Sequence, residues 1–264
     1  MRPIWSLVAA AVLIAGPAMA EDAADPGGGF FGWSVAAAVR MRVQPDYQGS
    51  NDYRVVPAGS LAIFRSGGRP EFGAPDDSPS LGLFGNDRFS AGLVANWRGA
   101  RDDKRDLQGF DKVDWAIEPG VFANWWVGEG LRLHGEVRKG VNGNSAWMAD
   151  VSADAVYRGG PWVLSIGPRA HWADSDFTRT YFSVSAADAA RSPFHIGPYA
   201  ADGDFSSAGV LASAEYRWAP RWSVQGEAGY LRLMGAAAGS PIVSTLGSKD
   251  QFEAALGVRY VLIR

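Results

Sequence analysis

The sequence predicts an all-β, transmembrane antiparallel up-and-down β-barrel of about twelve strands, with ten as the fallback count. Three observations carry that expectation. Apolar and polar residues alternate with period two over long stretches; Trp or Tyr stands at both ends of most apolar rows; tight turns alternate with longer polar connections. From Trp147 the odd positions read Trp147, Ala149, Val151, Ala153, Ala155 and Tyr157, with Asp150, Ser152, Asp154 and Arg158 opposite. From Trp162 the same row reads Trp162, Leu164, Ile166, Pro168, Ala170 and Trp172. A row of roughly ten residues capped by amphipathic rings suits a strand with one face in lipid, since such rings settle at headgroup level.

The chain opens with Met1-Arg2-Pro3, runs apolar from Ile4 to Ile14 and reaches Ala18-Met19-Ala20 before Glu21. A basic start, a short apolar stretch and an Ala-x-Ala end predict a cleavable signal over residues 1–20. Gly16 and Pro17 cut the stretch short of the ~20 residues that a helical span needs. Residues 21–30 read as a short, Gly-rich periplasmic lead-in, and 31–264 as the barrel. Strands are expected at 31–43, 54–65, 70–75, 79–84, 88–98, 112–127, 131–141, 146–158, 162–175, 205–218, 221–234 and 250–262. The alternation is poor at 54–65, where either face could be apolar.

The connections fit the same scheme. Ser66–Arg69, Gly85–Asp87, Gly128–Gly130, Gly159–Pro161 and Ala219-Pro220 carry tight-turn chemistry. Longer connections are expected at 44–53, 76–78, 99–111, 142–145, 176–204 and 235–249. Short periplasmic turns and longer external loops, with an even strand count, put both termini in the periplasm. Membrane-interface aromatics are then Trp33, Trp97, Trp115, Trp125, Trp147, Tyr157, Trp162, Trp172, Trp218, Trp222 and Tyr260. The rival is a secreted, water-soluble barrel or sandwich, which would turn the apolar rows inward and need no aromatics at both ends.

If the apolar rows face lipid, the charged rows line the lumen. Arg40, Arg132, Glu136, Arg138, Asp150, Asp154, Arg169, Glu215, Arg217, Glu253 and Arg259 fall there, together with Arg42, Arg98, Asp114, Glu118, His134, Arg158, His171 and Glu227. Signs are mixed, which predicts a cross-strand network that fills and stiffens a narrow interior. The competing reading is a pathway for small polar solutes. A formal charge of −3 argues against a polybasic nucleic-acid surface. Cysteine is absent, in keeping with passage through an oxidising compartment. Ser-x-x-Lys, Gly-x-Ser-x-Gly and His-Glu-x-x-His are all missing, and no His or Cys pair sits at ligand spacing. No catalytic, cofactor or metal residue is therefore expected, and no enzyme.

Three segments resemble the MltA-interacting protein family, also called MipA/OmpV. Pro45-Asp46-Tyr47-Gln48-Gly49-Ser50 resembles the family's Pro-x-Tyr-x-Gly-Ser opening loop. Tyr181-Phe182-Ser183-Val184, with Ala187 and Ser192, is similar to its long-loop motif. Tyr230 through Gly235 and then Ser240-Pro241-Ile242-Val243 resemble its Tyr-x-x-Leu-x-Gly…Ser-Pro-Ile-Val stretch. The chain departs from the family at Ala236, where Asp is usual, and at its end, where Leu262 stands in the aromatic's place before Ile263 and Arg264. The resemblance implies an outer-membrane barrel of a Gram-negative bacterium. It implies a scaffold joining a murein hydrolase to a murein synthase in some members, with adhesion or osmotic roles in others. It also implies outer-membrane lipids and the barrel-assembly machinery as partners. An external recognition surface built on Tyr181, Phe182, Phe194 and Tyr199 is a further expectation.

Overall fold

A computed structural model describes residues 33–65 and 72–263. The expected signal (1–20), the lead-in (21–30) and the 66–69 turn lie outside the described residues. Among the described residues eleven strands follow one another: β1 (Trp33–Pro45), β2 (Tyr53–Arg65), β3 (Ser80–Gly85), β4 (Phe89–Arg98), β5 (Ala116–Val127), β6 (Leu131–Lys139), β7 (Trp147–Gly159), β8 (Trp162–Ala173), β9 (Phe205–Ala219), β10 (Trp222–Met234) and β11 (Asp250–Ile263). Each pairs with its sequence neighbours, and β1 meets β11 to close the barrel. Ten of the expected strands fall on observed ones within a few residues, and β3 takes the eleventh, 79–84.

The expected strand at 70–75 does not form in its described part, so eleven strands stand among the described residues, close to the twelve expected. Residues 72–79 carry Gly73, Pro75 and Pro79, and proline cannot donate to a ladder. The Asp76-Asp77 pair adds two charges that the lipid face cannot hold. The segment instead turns inward and climbs through the lumen, so the expected external connection at 76–78 is an internal one. Having climbed, the chain descends again as β3. It therefore runs parallel to β2, meeting it only at Ala62↔Ser80 and Ile63↔Leu81. Every other strand pair is antiparallel.

The wall is inside out relative to a water-soluble protein. Val151, Ile166 and Leu256 are 56%, 56% and 57% exposed, whereas Glu118, Asp154 and Arg132 are 0%, 0% and 1% exposed. Large apolar side chains such as Val39, Val121, Val151 and Leu256 stand exposed around the wall, an arrangement that marks a membrane-facing surface. Its height also fits a membrane. Trp147 to Tyr157 is ten steps along β7, roughly 33 Å at ~3.3 Å per residue and about 25 Å once tilted by ~40°. Crossing neighbours demand glycine at particular points: a Cβ at Gly167 or Gly209 would collide with the facing carbonyl of Ala153 or Tyr230.

Apart from the inner segment, the long connections lie at one end, and the described tight turns lie at the other with Trp33 and Ile263, the outermost described residues. Four helices lie within them: α1 (Ser175–Phe182), α2 (Ala186–Arg191), α3 (Gly235–Gly239) and α4 (Pro241–Ser244). Each is too short to hold alone, so caps and packing carry it. Asp174 accepts from the backbone N–H groups of Asp176 and Phe177; Ser185 and Asp188 form a capping box; Ser240 accepts from Ile242 N with Pro241 at the first turn. Phe177, Phe182, Phe205, Leu233 and Val243 pack into one apolar cluster, and Leu107, Phe110, Val184, Ile196 and Ile242 into a second. The loops thus form a cap with its own core.

Candidate functional site

The lumen is crossed at mid-height by residues 72–79. Arg132, rooted near the tight-turn end of β6, donates to Asp77 at 2.6 Å and contacts Asp154 of β7 at 3.3 Å. Asn124 of β5 accepts from Arg132 Nε at 2.9 Å, and its own amide donates to Ser90 of β4 at 3.0 Å. Arg169 of β8 grips Asp76 at 2.7 Å and Asp154 at 2.8 Å. Arg40 of β1 donates to the Pro75 carbonyl at 3.1 Å and pairs with Glu227 of β10 at 2.9 Å. Ser78 donates to Glu136 at 2.6 Å, and Arg138 donates to Ser78 at 2.8 Å. Charges buried this deeply persist because each is paired and hydrogen-bonded.

The remaining expected lumen residues are mostly part of the same mesh. Arg138 pairs with Asp150, and His171 meets Asp150 at 2.7 Å. His134 lies 3.0 Å from Glu136, Arg98 2.5 Å from Glu118, and Arg259 3.3 Å from Glu215. Arg42 shares Glu227 with Arg40. Three residues fall elsewhere. Arg217 is exposed near the tight-turn end. Arg158 leans over the Trp126 ring at 4.8 Å, where the strand has already left the lumen. Asp114 precedes β5 and accepts from Trp115 N, because β5 starts at Ala116 rather than 112. Glu253 faces the internal cavities, with no ion pair within 4.0 Å among the described residues.

The expected interface aromatics occupy two levels. Trp97, Trp115, Trp147 and Trp172 stand toward the loop end, and Trp125, Tyr157, Trp162, Trp218, Trp222 and Tyr260 toward the tight-turn end. All but half-buried Tyr260 are exposed. Several touch, as in the Trp97–Trp115 stack at 4.7 Å and the Trp222–Tyr260 pair at 4.5 Å. The Trp33 side chain lies outside the described ones.

The motif residues of the first and last loops meet inside the cap. The Tyr47 hydroxyl donates to the Ile242 carbonyl at 3.3 Å, and Gly49 N donates to Gln251 at 2.9 Å. Gln251 in turn donates to the Ser50 carbonyl at 3.1 Å. Ser240 donates to the Phe182 carbonyl at 2.6 Å, tying in the 176–204 loop. Ser50, Ser240, Ile242 and Val243 are at most 1% exposed, with Pro241 starting α4 between them. Pro45 ends β1, Gly235 turns the chain into α3 at φ 59°, and Tyr230 remains on the wall, donating to Asp250 at 2.7 Å. Desolvation keeps the Tyr47 phenol protonated, well above its ordinary range.

The expected external aromatic surface is corrected by this packing. Phe182 is fully buried, Tyr181 and Tyr199 pack against the cap core, and of the four only Phe194 is exposed. Asp188 fastens α2 to the cap. It accepts from Asp111 N at 3.1 Å and meets Arg191 at 2.5 Å. Burial works against its charge, but bonds from Ser185, the Asp111 and Ser185 backbone and Arg191 hold its carboxyl below the ordinary 3.8. A depressed carboxylate contributes stability above its unfolded value and loses it as pH falls through the folded one. Hydrogen-exchange protection over 185–200, taken relative to the intrinsic rate at each pH, is therefore expected to fall below about pH 4, and the Asp188→Asn variant to show low protection already at neutral pH. Equal protection at neutral pH and below about pH 4 in the unaltered chain would contradict this.

Two cavities lie between cap and inner segment. One of about 620 Å³ is lined by Arg42, Arg54, Arg98, Arg101 and Tyr181 near the loops. The other, about 530 Å³, reaches down to Pro75–Pro79.

The family model described as MltA-interacting protein MipA matches residues 36–262. No curated protein matches the chain. Among solved structures, an outer-membrane channel from Pseudomonas putida F1 is 12% identical, covering 94% of this chain and 100% of its own, with a TM-score of 0.45. OmpT, an outer-membrane protein of Vibrio cholerae, is 10% identical over 87% of this chain and 97% of its own, at a TM-score of 0.37. Neisserial surface protein A is 12% identical over 87% and 96%, at a TM-score of 0.27.

Proposed function

The chain belongs to the MltA-interacting protein MipA family, an outer-membrane barrel, and from that premise we propose that it works as a closed structural and interaction protein rather than as an enzyme or an open pore. One observation carries the reading: Arg132, 1% exposed, joins the inner segment to the wall through Asp77 and Asp154. A lumen spanned by such pairs serves rigidity, and a conducting interior would need them hydrated.

In this reading the tight-turn end and both termini face the periplasm, and the family's named partner type, a murein-cleaving enzyme, binds there. A murein synthase is the second partner of the scaffold. The turns at 86–88, 128–130, 160–161 and 220–221 are far smaller than the ~800 Å² per partner of a standard interface. The lead-in at 21–30 is therefore assigned a share of the contact. The test is binding of a purified MltA-type lytic transglycosylase to the barrel in nanodiscs, with and without residues 21–30. Saturable binding that weakens on deletion is expected; no binding to either form overturns the scaffold role.

A further inference from the structure

The barrel closes along one weak seam. Beyond its two contacts with β3, the second edge of β2 has no backbone partner from Tyr53 to Leu61 among the described residues. Across the gap, Ala95 N donates to the Pro79 carbonyl at 3.1 Å, and Asn96–Arg98 have no strand on that side among the described residues. Eight steps of β2 leave roughly 25 Å of open edge toward the loop end. Pro57 sits in this stretch, where prolines are tolerated. Unpaired backbone at membrane depth is tolerable only against protein or where it lines a cavity. A cavity is there: Pro57–Ser60 on one side and Asn96-Trp97 on the other line the 530 Å³ chamber. Outside the seam stand exposed Val55, Leu61 and Trp97.

The chamber has two chemical faces. Phe177, Phe205, Leu211, Leu231 and Met148 present apolar surface, while Arg42 and Arg98 line both cavities. Cations outnumber carboxylates around the outer cavity: Arg42, Arg54, Arg98, Arg101, Lys104 and Arg105 face Asp46, Asp102 and Glu253. Among the described residues the Arg101 guanidinium donates to the carbonyls of Tyr181 and Asp111, and its charge has no carboxylate within 4.0 Å. Arg98 binds Glu118 through Nε, and its Nη1 has no hydrogen-bond partner among the described residues. Both volumes fall in the range of small-molecule sites.

We propose that this seam is a lateral portal from the outer leaflet into the chamber, and that the chamber binds a single-chain anionic amphiphile, its acidic head toward Arg42 and Arg98 and its chain against the Phe177–Phe205 wall. The portal requires only the barrel's geometry and does not depend on the scaffold reading.

The test uses spin-labelled hexadecanoate with the full barrel in zwitterionic nanodiscs, subtracting the signal of empty discs. A saturable, immobilised component is expected. Gly59→Trp narrows the portal at a position with room for a side chain, since its Cβ would meet only the Ala38 carbonyl, at 3.6 Å. Arg42→Gln removes the head contact while Arg40 still serves Glu227. Each variant is expected to weaken binding at least tenfold while keeping the heat-dependent gel shift of a closed barrel. No saturable component, or equal binding in all three proteins, overturns the proposal. Equal binding of spin-labelled hexadecanol overturns the head assignment, and full displacement by millimolar inorganic phosphate marks a simple anion site instead.

Discussion

Asp76→Asn with Asp77→Asn is expected to turn a silent barrel into a conducting one. Each aspartate holds one arginine of the wall: Asp76 holds Arg169 at 2.7 Å, and Asp77 holds Arg132 at 2.6 Å. Without them Asp154, 0% exposed, is the carboxylate that both guanidiniums still contact among the described residues. Two buried cations then lose one charge partner each. Breaking one buried pair by removing a partner costs about 3–5 kcal/mol, so residues 72–79 should leave their site before the wall unfolds. Planar-bilayer recordings should show no conductance for the unaltered protein and discrete steps for the double variant. Asp102→Asn, on the loop surface beside Lys104, should behave like the unaltered protein. A double variant as silent as its parent would show that something other than this segment closes the lumen.

Gly49→Val is expected to open the cap and leave the barrel standing. Gly49 sits at φ +103°, and its Cβ would lie 2.5 Å from Val243 Cγ2. Left-handed backbone strain costs about 1–3 kcal/mol, and overpacking about 1–3 kcal/mol more. The joint has little slack, because a Cβ at Gly247 would strike the Gly49 carbonyl from the other side. Loss of the joint frees Ser240 from Phe182, so limited proteolysis should cut within 183–204 at least tenfold faster. The heat-dependent gel shift should be unchanged. Protease resistance equal to the parent's would contradict the role given to this joint.

The wall is legible in the sequence because lipid enforces a strict period of two: from Trp147 to Tyr157 every second residue meets acyl chains, and the intervening ones face the lumen with Arg132 and Arg169. What the period cannot carry is the seam. Strand β2 reads as apolar on both faces because Val55 and Leu61 face outward while Val56 and Ala58 line the interior beside an open edge. That poor alternation is the local sign of an unusual strand. Residues 72–79 escape a sequence reading because nothing in them separates an external turn from an inward one; only Arg132 and Arg169, distant in the chain, decide it. The cap helices do have a signal. Ser185 followed by Asp188 is a capping box, but a faint one, because α2 spans little more than one turn. The motif positions are recognisable as a set, yet their convergence depends on contacts such as Gly49 with Gln251, some 202 residues apart in the chain.

In this barrel apolar rows face acyl chains and ionisable rows face the axis. The chain has no cysteine, so single Cys variants along β7 can each carry one spin label without background. Accessibility to dissolved oxygen, which concentrates in hydrocarbon, should be high at Ala149, Val151, Ala153 and Ala155 and low at Ser152 and Val156. The opposite parity, with Val151 shielded and Ser152 oxygen-exposed, would contradict an outward-facing apolar row.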